Sequence, residues 1–172
     1  NGHNYLQAAH NQGAVALLVS SVPHIDIPYI LVPDTLVALQ KLAQFHREKF
    51  NIPVVAVTGS NGKTIVKEWV SFLLAEDCKV CKSPKSYNSQ IGVPLSVWQL
   101  ASQHTIGVFE AGISKPGEME HLRKVIQPTI GVFTHLGDAH AVHFDSVEQK
   151  LEEKLKLFET CETIVCSSEQ PM

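Results

Sequence analysis

The chain has 172 residues, 44% of them apolar and 18% charged, with a formal net charge of -3. This balance supports one good core and excludes a disordered polymer, and with no recurring basic stripe it offers no general attraction for nucleic acid or an anionic membrane. No apolar run nears the ~20 residues that a membrane-spanning helix requires, and no signal-type segment opens the sequence, so the expected location is the cytoplasm.

From the N-terminus, "LQAAHNQGA" reads as a short helix ended by Gly13, "AVALLVS" as a buried strand and "YILV" as a second strand. Asp34 is the expected N-cap of a helix carrying Leu36, Leu39, Leu42 and Ala43. Near "KFNIPVV" an amphipathic helix gives way to a β-branched run, which places a domain boundary at 51/52. Residues 1–51, beginning at "NGHNYL" without an initiator Met, read as the C-terminal part of a small α/β domain.

Past the boundary, strands expected at 54–58, 79–83, 106–110, 130–135 and 163–166 alternate with helices at 63–75, near 95–100, at 118–126 and at 147–158. The fold class is therefore α/β, a P-loop-type, mostly parallel sheet with helices on both faces. Ligands of such sheets bind beyond the carboxyl ends of the strands, so the loops after Thr58, Glu110 and His135 are expected to share one crevice.

The first of these loops lies in "VVAVTGSNGKT". A phosphate cradle needs glycines so that backbone N–H groups can curl around the anion, a lysine for the outer phosphates and a hydroxyl for magnesium. Gly59, Gly62, Lys63 and Thr64 supply these, with Thr58, Ser60 and Asn61 completing the loop; Val57 stands where the full pattern has a glycine. Glu110 is the only acid in an apolar strand and calls for a partner, either magnesium bridging phosphates or a lysine, Lys63 or Lys115. "THLGDAHAVHF" places His135, Asp138, His140 and His143 in one loop, and spacing does not choose among them, although His143 reads as a surface residue. In "SVEQKLEEKLKLF" the apolar stripe is Val147, Leu151, Leu155 and Phe158, which leaves Lys150, Lys154 and Lys156 on the solvated face. Cys78, Cys81, Cys161 and Cys166 read as small hydrophobes in and beside strands, not as zinc ligands.

In this order and spacing, "TGSNGKT", "KSYNSQIGVPL", "FEAGISKPGE" and "AHAVHFDSVEQKLEEKLKLF" resemble the Mur ligase family of ATP-dependent amide-forming enzymes over nearly the whole chain. "GKTIVKE" and "NSQIGVPLSVW" resemble its D-alanyl-D-alanine-adding branch, the MurF type, and in particular the group fused to an alanine racemase. The family's shortened loop, T-G-x-x-G-K-[ST], accounts for Val57. The resemblance implies ATP and Mg2+ as cofactors, and UDP-muramyl tripeptide and D-Ala-D-Ala as substrates. The tripeptide carboxylate would be phosphorylated by ATP and then attacked by the dipeptide amine. It also implies that Lys63 and the loop hold phosphates, that Thr64 and Glu110 ligate a first magnesium, and that His140 and a carbamylated Lys154 serve a second. Ser86 and Asn88 would face the muramyl peptide.

By the same resemblance, residues 1–51 are the remainder of an N-terminal UDP-substrate-binding domain and 52–172 a partial central ATP-binding domain. The C-terminal ligase domain would then lie outside the chain, and the fragment is expected to be inactive alone. "YNSQ" departs from the family's NxNN motif, and His135 from its frequent Asn. The competing readings are another Mur-type or folylpolyglutamate-synthase-like ligase, and a non-catalytic P-loop nucleotide-binding module.

Overall fold

The computed structural model of the chain describes residues 2–137 and 144–168. It divides into two units, Asn1–Leu39 and Gln40–Met172. In the first, a 3-10 turn (Gly2–Tyr5) leads into α1 (Leu6–Asn11), which stops where Gly13 takes a φ of +98°, a left-handed value that glycine adopts at little cost. The short strands β1 (Leu17–Val19) and β2 (Tyr29–Leu31) pair in parallel, and Leu17, Val19 and Ile27 form a small buried cluster. The first turn of α2 (Thr35–Arg47) is capped by Asp34 as expected, the carboxylate accepting from Leu36 N and Val37 N at 2.7 and 3.0 Å.

The second unit carries β3 (Val54–Thr58), α3 (Lys63–Leu74), β4 (Val80–Lys82), α4 (Gly92–Val97), β5 (Ile106–Glu110), α5 (Glu118–Ile126), β6 (Ile130–Phe133), α6 (Val147–Leu155) and β7 (Thr163–Cys166). A 3-10 turn, Lys156–Phe158, continues α6. The five strands form a wholly parallel sheet in the order β4-β5-β3-β6-β7. Every residue of β3 and β5 is buried, as befits inner strands covered on both sides.

Alternation along β3 assigns the two faces. Val55 and Val57 pack with Ile106 and Val108 against Val66, Val70 and Leu74 of α3. Val54 and Ala56 lie in the larger cluster on the other face, with Val93 and Val97 of α4, Met119, Leu122, Val125 and Ile126 of α5, and Leu157 and Phe158 after α6. Cys81 is buried in this cluster and Cys161 packs against it, as small apolar residues would. Among the described residues, no helix is long and apolar enough to cross a membrane.

Three expectations shift. The unit break falls within α2, before residue 51, because Ala43 belongs to the second unit's core and Arg47 is buried there. The Arg47 guanidinium donates to the carbonyls of Phe50, Ile126 and Gln127 at 2.6, 2.9 and 3.2 Å, tying the end of α2 to the last turn of α5. The helix expected near 95–100 begins earlier, at Gly92, because Pro94 is accommodated in its first turn, where a backbone N–H has no partner to lose. β6 ends at Phe133, although Thr134 N still donates to Thr58 O at 2.9 Å while its hydroxyl bonds the phosphate-type loop.

Candidate active site

Residues 59–62 leave the carboxyl end of the central strand β3 and enter the N-terminus of α3. Val57 is buried and still paired in the ladder opposite Glu110, so the position of the missing glycine belongs to the core, and the turn starts later. Gly59 begins it with φ +147°; a Cβ there would lie 2.1 Å from Thr134 Oγ1. Gly62 closes it at φ +79° as the N-cap of α3. Ser60 N donates to His135 O at 2.6 Å, Ser60 Oγ to Gly137 O at 3.0 Å, and Thr134 Oγ1 to Asn61 O at 2.6 Å. The loop after β6 therefore braces the loop after β3. Thr58 donates from Oγ1 to Ala111 O at 2.9 Å, bracing the third loop of the expected crevice.

Glu110, at the end of β5, is 1% exposed. Its Oε2 accepts from Thr64 Oγ1 at 2.9 Å and its Oε1 from Asn88 Nδ2 at 2.6 Å. Neither Lys63 nor Lys115 provides these bonds: Lys63 Nζ donates to Gly59 O and Ser60 O, both at 3.1 Å, and Lys115 N to Glu118 Oε2. Ser86 is exposed in the loop that carries Asn88. The departures at 89 and 90 have structural uses. Ser89 Oγ accepts from Gly92 N at the start of α4, and Gln90 bridges Gln40 and Glu118 O.

The lysines of α6 overturn their placement on a solvated face. Lys150 and Lys154 are 3% and 4% exposed. Lys154 Nζ donates to Gly59 O at 3.0 Å and Lys150 Nζ to Gly137 O at 2.6 Å, while Lys156 alone of the three stays half-exposed, paired with Glu153. Glu153 is itself buried and accepts from Met119 N, fixing α6 against the start of α5. The missed signal is a second stripe: Lys150 and Lys154 lie on the same helical line as the buried Leu157. Burial pushes the Lys154 ammonium down to about 8, with the charges of Lys63 and Lys150 adding to the effect. Burial also lowers Lys63, opposed by the Glu110 carboxylate and reinforced by Lys150. His140, Asp138 and His143 lie outside the described residues. His135 is exposed and holds the loop through its carbonyl.

The result is a cluster of ammonium groups and backbone N–H donors beside a buried carboxylate and hydroxyl at the carboxyl ends of parallel strands. The cations suit a polyphosphate, and the all-oxygen pair Thr64 and Glu110 suits a hard divalent cation.

Comparison with known proteins matches the Mur ligase middle domain over residues 57–171. The chain is 35% identical over 170 residues to the UDP-N-acetylmuramoyl-tripeptide--D-alanyl-D-alanine ligase of Treponema pallidum, covering 92% of this chain and 37% of that protein. Its fold is similar to that of MurF from Acinetobacter baumannii, with TM-score 0.89 and 26% identity over 97% of this chain and 38% of the other. It is also similar to MurF ligase from Thermotoga maritima in complex with ADP, with TM-score 0.87 and 32% identity over 99% and 40% of the two chains. The chain thus spans a little over a third of the length of the relatives it matches.

Proposed function

Because the chain belongs to the Mur ligase family through its middle domain, we propose that it supplies the ATP-binding centre of a MurF-type ligase joining D-Ala-D-Ala to a UDP-muramyl tripeptide. The observation that carries this reading is the contact of Thr64 Oγ1 with Glu110 Oε2, on a phosphate-type loop surrounded by lysines. The MurF name of the relatives and the ADP held by the Thermotoga protein support it.

Lys63 and the N–H groups of residues 59–64 would hold the phosphates of ATP, and Thr64 with Glu110 would hold Mg2+. When bound, the magnesium neutralises charge as the terminal phosphoryl group passes to the tripeptide carboxylate. The acyl phosphate is then attacked by the dipeptide amine, which forms the C–N bond and expels phosphate. The protein's part is to orient the groups and balance charge; no side-chain nucleophile is required. Asn88, bound to Glu110 on one side, and Ser86 would place the muramyl peptide. Lys154 would be carbamylated and join His140 at a second magnesium. The unit Asn1–Leu39 would be the remainder of the UDP-substrate-binding domain and Gln40–Met172 part of the central domain, in place of the 51/52 division expected from the sequence. The rest of the central domain and the ligase domain that brings the amine would come from further polypeptide, in a cytoplasmic enzyme.

Two measurements test this. Calorimetry of the 172-residue chain with ADP, with and without Mg2+, should show magnesium-dependent binding. Phosphate release by the longer polypeptide should require UDP-muramyl tripeptide and D-Ala-D-Ala; turnover with folate and glutamate in their place would assign a different family branch.

A further inference from the structure

Lys67 lies one helical turn beyond Thr64 on α3 and is wholly buried. Its Nζ donates to Ser83 O at 2.9 Å and to Lys85 O, and pairs with Glu68 Oε1 at 3.0 Å. An ammonium has three protons and these three acceptors use all of them, which fixes the group in direction as well as in place. Two of the acceptors belong to the 83–88 loop, where Lys85 is held at φ +48°, a value uncommon outside glycine.

That loop ends at Asn88, whose amide binds Glu110 Oε1 and whose carbonyl accepts from Gly112 N at 2.8 Å. It begins at Ser83, whose Oγ accepts from Glu110 N at 3.1 Å. α3 therefore reaches Glu110 by two routes: directly through Thr64, and indirectly through the loop that Lys67 grips.

We infer that Lys67 is a positioning residue, holding the 83–88 loop by its carbonyls so that Asn88 and Thr64 fix the two oxygens of Glu110 together. Its consequence for ligand binding rests on the reading of Thr64 and Glu110 as magnesium ligands. A lysine kept only for the stability of the fold would behave differently: its replacement would lower stability by leaving the Ser83 and Lys85 carbonyls without a donor, but would leave the Asn88–Glu110 contact and the magnesium dependence of ADP binding unmoved.

The test is Lys67→Met in the 172-residue chain, with two readouts. In 15N-labelled protein the Asn88 side-chain amide should lose the shift and exchange protection that its bond to Glu110 confers. In ADP-bound protein the affinity for Mg2+ should fall about 10- to 100-fold, the usual effect of losing an outer partner of a metal ligand, while ADP binding without magnesium is unchanged. An unmoved Asn88 signal, or an equal loss of ADP affinity with and without the metal, overturns the inference. If the wild-type chain binds ADP with no magnesium dependence, the proposed site fails, and the Asn88 signal still decides the role of Lys67. Lys67→Gln serves where the Met variant does not fold, and unfolding of both overturns the inference by making Lys67 a residue of the core.

Discussion

Lys154 donates from Nζ to the carbonyl oxygen of Gly59 at 3.0 Å, so a helix late in the chain touches the first turn of the phosphate-type loop. The amine is buried among other cations, which leaves a usable fraction unprotonated near neutral pH. Its attack on carbon dioxide would form an N–C bond and release a proton, giving an anionic carbamate. With 13C-bicarbonate, a carbamate carbonyl resonance should appear in the wild-type chain and be absent from Lys154→Met. Its absence from both would return Lys154 to a purely electrostatic role.

Among the described residues Lys63 bonds the carbonyl oxygens of its own loop, at 3.1 Å each, and is not part of the core clusters. Lys63→Ala should leave the melting temperature near that of the wild type and weaken ADP binding about 10- to 100-fold, the loss of a hydrogen bond from a charged donor. Affinity retained at the wild-type level would remove Lys63 from the phosphate site.

Gly59 has no room for a side chain, and its φ of +147° is one that other residues rarely adopt. Gly59→Ala should cost about 1–3 kcal/mol of stability and displace Thr134, and with it the brace between two loops. Denaturant unfolding reads the first effect and the amide spectrum of residues 134–137 the second.

Stability should also depend on pH with a definite sign. The unfolded chain keeps the Lys154 proton up to its ordinary value of 10.5, whereas the folded chain releases it near 8, so stability rises with pH through that interval, by up to ~3 kcal/mol. Burial raises the Cys81 thiol from 9.0 to about 11, so from pH 9 the folded state holds the extra proton and stability falls. The net profile climbs from about pH 8 to 9 and then flattens. Urea titrations in carbon-dioxide-free buffer should show the climb in the wild type and largely lose it in Lys154→Met; parallel profiles would count against the buried ammonium.

The sequence legibly encodes what depends on local pattern. The β-branched run of β3, the glycines of the loop and the lone acid of β5 each announce themselves, and the parallel register then brings Thr64 to Glu110. Lys67, Lys150 and Lys154 are illegible for a physical reason. A hydropathy pattern counts every lysine as solvated, but burial of a lysine is decided by distant backbone carbonyls, those of Ser83, Lys85, Gly137 and Gly59. Arg47 escapes for the same reason, its acceptors lying at the far end of α5. Asn88 became visible through family resemblance, since nothing in "KSYNSQ" itself points across to β5.

The lysine cluster also bears on kinetics. The chain as a whole is anionic, yet before any carbamylation of Lys154 the ammonium groups of Lys63, Lys150 and Lys154 outnumber, among the described residues of the site, the carboxylate of Glu110 beside the loop. Such a local field draws a polyanion inward from about a Debye length, ~8–10 Å at ordinary ionic strength. Added salt therefore slows the capture of nucleotide far more than its escape.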